Sequence, residues 1–112
     1  MAYSQYVPKH ERPVITMLIQ EALARGYRVT VNDGVEDVLK DSLSLRAVQK
    51  ELGSTGEDWV SFYSPLLQRV GAFYLIYNNG SEGDPMIVIA DHIDNALCNE
   101  IYDKISAKYN TY

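Results

Sequence analysis

One stretch limits the fold more than any other. Val70-Gly71-Ala72-Phe73-Tyr74-Leu75-Ile76-Tyr77 is the longest apolar run of the chain and is rich in aromatic and β-branched residues. Asn78 to Pro85 follows it with glycine, asparagine, serine, aspartate and proline, the densest turn-forming segment present. Met86 to Ala90 is apolar again. A strand, a tip and a return strand account for that order, so residues 70–90 are expected to form an antiparallel hairpin. Runs this apolar need cover on both faces, which puts the hairpin near the centre of a sheet.

The flanking segments supply helices and further strands. Val14, Ile15, Leu18, Ile19, Ala22 and Leu23 fall on one helical stripe. Pro13 suits its first turn and Gly26 its end, giving a helix over 11–25. Tyr27 to Val31 alternates as a half-buried strand, and Asn32-Asp33-Gly34 turns the chain into a short partner strand over 35–42. Ser42 and Ser44 are candidate N-caps for a helix over Leu45 to Leu52, which Gly53 stops. Trp59 to Tyr63 reads as another strand, broken by Ser64-Pro65. Leu97, Ile101 and Ile105 mark the inner face of a last helix over 95–109, with Asp94 as its expected N-cap.

The expected architecture is α+β, with an antiparallel sheet of four to five strands packed by helices in the order α-β-β-α-β-β-β-α. At 112 residues the chain fits one domain. Met1 to His10 has no period and is expected to be a flexible arm.

Charge and composition narrow the function. The net charge is −5 and unevenly spread: residues 1–28 carry +2, residues 29–60 carry −4 and residues 61–112 carry −3. An acidic chain repels phosphate backbones, so direct nucleic-acid binding is not expected, while a basic partner surface would be attracted. The single cysteine, Cys98, excludes an intrachain disulfide and a four-cysteine zinc site, and its helical setting reads as a small buried hydrophobe. The start lacks the pattern of a secretory signal, and the apolar stretches are too short for a bilayer. The bacterial host cytoplasm is the expected compartment.

Few residues are arranged for chemistry. Asp91-His92-Ile93-Asp94 sets an imidazole between carboxylates, a pattern able to hold a divalent ion or serve acid–base work. Asp91, His92 and Asp94 are therefore the candidates for an alternative reading as a small metal-dependent or acid–base enzyme. The plainer account makes Asp94 a cap and Asp91 a dipole partner, with no second histidine cluster to complete a site. The glycines of the 78–85 tip do not form a phosphate cradle, because a strand is expected to follow them and Glu82 and Asp84 would repel phosphate. Nucleophile-elbow, zincin and dinucleotide-binding motifs are absent. No cofactor is expected.

Nine tyrosines are the compositional anomaly, and tyrosine favours interfaces because an apolar body carries a polar tip. The partner-binding candidates are thus the acidic turns, Asp33, Glu36, Asp37, Glu82 and Asp84, together with Tyr77, Tyr109 and Tyr112. A homodimer through the tyrosine-rich termini is a further alternative.

Gly71 to Gly80, then Ile89-Ala90-Asp91-His92-Ile93-Asp94-Asn95, with the strand and turn from Gly26 to Gly34, resemble a loose group of small phage, prophage and plasmid accessory proteins. Those share a G-Y-x-V-x-V-x-D-G strand and turn and a Y-x-N-G … D-x-x-D-N ending. This chain departs in its longer tip, Ser81 to Pro85. The resemblance implies a mobile-element protein that binds and blocks a host protein or protein–nucleic acid complex, including CRISPR effectors. It transfers no catalytic residue.

Overall fold

A computed structural model describes residues 3–109. The chain runs α1 (Arg12–Ala24), β1 (Arg28–Asn32), β2 (Asp37–Ser42), α2 (Leu45–Glu51), β3 (Glu57–Tyr63), β4 (Arg69–Ile76), a 3₁₀ turn (Pro85–Val88), β5 (Ile89–His92) and α3 (Ala96–Tyr109). This is the expected α+β order. The five strands form one antiparallel sheet in the order β2-β1-β3-β4-β5.

All three helices lie on one side of it. α1 contacts both α2 and α3, while α2 reaches β1 and β2 and α3 reaches β4. Strand alternation therefore decides which residues are covered. Val29 and Val31 of β1, Val60 and Phe62 of β3, and Phe73 and Leu75 of β4 point to the helices and have no solvent exposure. They meet Val14, Ile15, Leu18 and Ile19 of α1, and Cys98, Ile101 and Ile105 of α3. Gly71 lets α3 approach β4 closely, since a Cβ there would lie 2.8 Å from the Cys98 Sγ. Cys98 is a buried packing residue, as its helical setting suggested.

Local expectations are corrected in three places: the hairpin, the cap of the last helix and the first ten residues. The return strand does not run from Met86 to Ala90: Pro85 opens a 3₁₀ turn, and only Ile89–His92 pairs with β4. Proline has no N–H for a ladder, and the turn buries Met86 and Val88 while leaving Ile87 exposed. The β4–β5 pair also lies at one side of the sheet, with β5 on the edge and β3 central. The apolar run of β4 needs less cover than expected because its second face stays open.

The cap of α3 is Asn95, whose Oδ1 accepts the Cys98 N–H at 2.9 Å. Asp94 instead accepts from the Asn99 side-chain amide at 3.0 Å.

The third correction concerns the first ten residues. Within the described part, Tyr3 to His10 is packed down. Val7 is fully buried, and the glycine at Gly53 leaves room for it: a Cβ there would meet the Val7 Cγ2 at 2.6 Å. Gly53 also needs its positive φ of 83°. Arg12 ties the segment down from α1, its Nε donating to the Val7 carbonyl at 2.9 Å and an Nη to that of Ser4 at 3.2 Å.

Candidate functional site

The sheet has an end and a face that stand out. Antiparallel pairing brings the close of β1, the starts of β2 and β3, the close of β4 and the start of β5 to the same end. The loops there are 33–36, 52–56 and 77–88. Asp33, Glu36, Asp37, Glu57, Glu82 and Asp84 all belong to this end, and the three loops contain no lysine or arginine. Five of these six acids are those that the sequence marked as partner-binding candidates. The tertiary structure thus collects into one region carboxylates that lie as far as 51 positions apart, from Asp33 to Asp84.

Their side chains differ in freedom. Asp33 Oδ1 accepts the Val35 and Glu36 N–H groups, both at 2.9 Å, and these bonds hold its pKa below the usual range. Its first task is to shape its own loop. Asp37 accepts from the Asn32 amide at 3.0 Å. Glu36, Glu57 and Glu82 are exposed.

The face beside them carries aromatic rings. Trp59 of β3 and Tyr74 of β4 pair across the ladder and stack, with ring centroids 4.8 Å apart and planes 21° from parallel. Tyr63, Ser61 and Ile76 lie on the same side, all half-buried, and no helix covers them. A depression of about 320 Å³ between Trp59, Tyr63, Asn32, Asp37 and Arg69 lies in this face. At the far end Leu66 and Leu67 project from the β3–β4 connection, 84% and 56% exposed.

Beneath the acidic end is a buried polar layer that the sequence reading did not anticipate. Asp58 has no solvent exposure; its Oδ2 accepts the Gly53 N–H at 2.9 Å and the Tyr77 hydroxyl at 2.5 Å. Its Oδ1 has no partner among the described residues. Burial pushes the Asp58 carboxyl above the usual range, and the charges of Asp33 and Glu57 add to the rise. Burial and the neighbouring carboxylate also hold the Tyr77 hydroxyl protonated. Glu11, equally buried, accepts the Asn78 and Gly80 N–H groups at 2.8 and 2.7 Å, and His10 Nε2 lies 2.7 Å from the Gly80 carbonyl oxygen. These bonds anchor the 77–88 loop to the start of α1. One cue was present: Asp58 shares its strand register with Val60 and Phe62, so alternation alone sends it into the core.

Tyr77 is therefore not a surface contact, because its hydroxyl is committed to Asp58 and its exposure is 8%. Tyr109 is half-buried at the end of α3, with the Lys108 ammonium 5.5 Å from its ring centroid. Tyr112 lies outside the described residues.

Asp91, His92 and Asp94 do not converge on one point. Asp91 pairs with Tyr74 and faces the open side, whereas His92 pairs with Phe73 and faces the helices. The imidazole lies between Phe73 and Tyr102, at 5.3 and 5.2 Å between centroids. Among the described residues no group of three or more histidine, cysteine, aspartate or glutamate side chains is placed to hold a metal ion. Among the same residues no helix is long and apolar enough to cross a membrane. Comparison of the chain with protein-family models, with curated proteins and with solved structures finds no match in any of the three.

Proposed function

We propose that this protein is a non-catalytic protein-binding module whose acidic loop end and adjoining aromatic sheet face hold a basic surface of a partner. The observation that carries the reading is the gathering of Asp33, Glu36, Asp37, Glu57, Glu82 and Asp84 at one end of the sheet, where the three connecting loops contain no lysine or arginine and Lys40 stands 4.0 Å from Asp37. Such a field speeds encounter with a basic surface, and the Trp59–Tyr74 stack beside it supplies rigid apolar area for the contact. A host nucleic-acid-processing complex fits as the partner class, because its nucleic-acid channel is basic. The likeness to mobile-element accessory proteins points the same way, with a CRISPR effector as one target of that kind. The host cytoplasm is the compartment such a target implies.

The test is affinity capture of the tagged protein from host lysate, run beside a Glu36→Lys/Glu82→Lys variant. Both positions are exposed, so the variant is expected to fold. Stoichiometric recovery of a nucleic-acid-processing complex by the native protein, lost with the variant and weakened by salt, is the expected result. Recovery of no host protein at stoichiometric level, or equal recovery by the variant, overturns the proposal.

A further inference from the structure

On the helix side, opposite the open aromatic face of the sheet, lies a groove of about 770 Å³. Its size falls within the range of sites for small molecules. Pro13, Thr16, Met17 and Gln20 of α1 line it along one helical stripe, with Tyr3 from the N-terminal segment and Tyr109 from the last turn of α3. The lining is preorganised on the Tyr3 side. The Tyr3 and Thr16 hydroxyls are 2.8 Å apart, and the Gln49 amide donates to the Thr16 Oγ1 at 3.2 Å.

The charge of this groove is opposite to that of the molecule. Lys9, Arg12 and Lys108 line it against a single carboxylate, Glu21. Glu21 is already engaged, by Arg25 at 3.3 Å and by Lys104 at 3.1 Å. Two of the three cations rest on aromatic rings: the Arg12 guanidinium lies 5.6 Å from the Tyr3 centroid and the Lys108 ammonium 5.5 Å from that of Tyr109. Among the described residues, neither Lys9 nor Lys108 has a carboxylate within 4.0 Å. An uncharged apolar molecule would leave these cations unused, and a highly charged one would not fill the space between the rings.

We propose that this groove binds a small amphipathic anion, an apolar or aromatic body headed by one anionic group. The body lies between Tyr3, Met17 and Tyr109, and the head meets Lys9 and Lys108. The inference is independent of the protein partner proposed above, since none of the groove's lining residues belongs to the acidic loops or to the open sheet face.

Anilinonaphthalene sulfonate is a suitable probe, with the uncharged phenylnaphthylamine as its control. Titration of the full chain, followed by fluorescence and by amide NMR shifts, is expected to show saturable one-to-one binding of the sulfonate. The shifted amides are expected between residues 13 and 20 and in the last turn of α3. Lys9→Gln/Lys108→Gln changes two exposed side chains and is expected to weaken the sulfonate about tenfold while leaving the neutral control within about twofold. Met17→Trp, which fills the groove, is expected to weaken both; if it does not fold, the lysine pair decides alone. Absence of saturable binding, shifts confined to the open sheet face, equal affinity for the two probes, or an unaffected lysine variant would each overturn the proposal.

Discussion

On β3, Asp58, Val60 and Phe62 face the helices and have no exposure, while Trp59, Ser61 and Tyr63 on the other side of the same strand are half-buried. The two faces come from one alternating sequence, yet they do different work. The covered face holds the fold through close packing, so every side chain there has its volume and polar partners determined by neighbours. The open face keeps large aromatic rings that the core does not need. Even the polar residues follow this division: Asp58 is enclosed by Gly53 and Tyr77, whereas Asp91 stands exposed beside Tyr74. An aromatic surface on which stability depends less than on the core is available for a partner.

The strongest test of that contrast is to truncate one ring from each side. Phe73→Ala is expected to destabilise the protein by about 3–5 kcal/mol, because it opens a cavity among Phe62, His92 and the helices. Trp59→Ala is expected to cost about 1–2 kcal/mol, since the ring is half-buried and stacked on one side only. Chemical denaturation measures both. Equal losses would mean that the open face is part of the core.

An effect smaller than that of Phe73→Ala and similar to that of Trp59→Ala probes the buried polar layer. Tyr77→Phe removes a hydrogen bond from a buried carboxylate and is expected to cost about 1–3 kcal/mol at neutral pH. The sign of the pH dependence follows from the raised folded pKa of Asp58. Its contribution to stability is full below the ordinary value of 3.8 and is lost as pH rises through the folded value. In an Asp58→Asn variant that decline disappears, and the Tyr77→Phe loss is expected to shrink at pH values under 3.8, where the carboxyl is protonated. Denaturation midpoints across an acid-to-neutral series read both slopes.

The smallest effect is the coupling between Trp59 and Tyr74. A double-mutant cycle to alanine is expected to give about 0.5–1.5 kcal/mol beyond the single losses. Near-zero coupling would show the two rings to be independent surface groups. If the proposed partner is recovered, the same double variant is expected to lose it while remaining folded.

Much of the fold was legible because it depends on local pattern. The stripe of α1 from Val14 to Leu23 and that of α3 from Leu97 to Ile105 have a period of one helical turn, and both helices end within a residue of expectation. Gly34, with its φ of 99°, closes the β1–β2 turn as Asn32-Asp33-Gly34 suggested. The segment after the tip was misread because Met86 to Val88 is too short for a period, and an apolar triplet serves a 3₁₀ turn as well as a strand. The N-terminal segment was misread because it is held by single contacts: Val7 against Gly53, and Arg12 to the carbonyls of Ser4 and Val7. Such contacts leave no repeat in the sequence.

What the sequence determined by itself was therefore the α+β order, the inner faces of the two long helices and the acidity of the turns. The tertiary structure alone decided that residues from Asp33 to Asp84 share one end of a sheet, that Tyr77 is enclosed while Tyr74 is open, and that Tyr3 and Tyr109 line a common groove. The physical reason is range. Periodicity and turn chemistry act over a few residues, whereas strand pairing joins positions as far apart as Arg28 and Tyr63, and helix docking brings Lys104 of α3 to Glu21 of α1, 83 positions away.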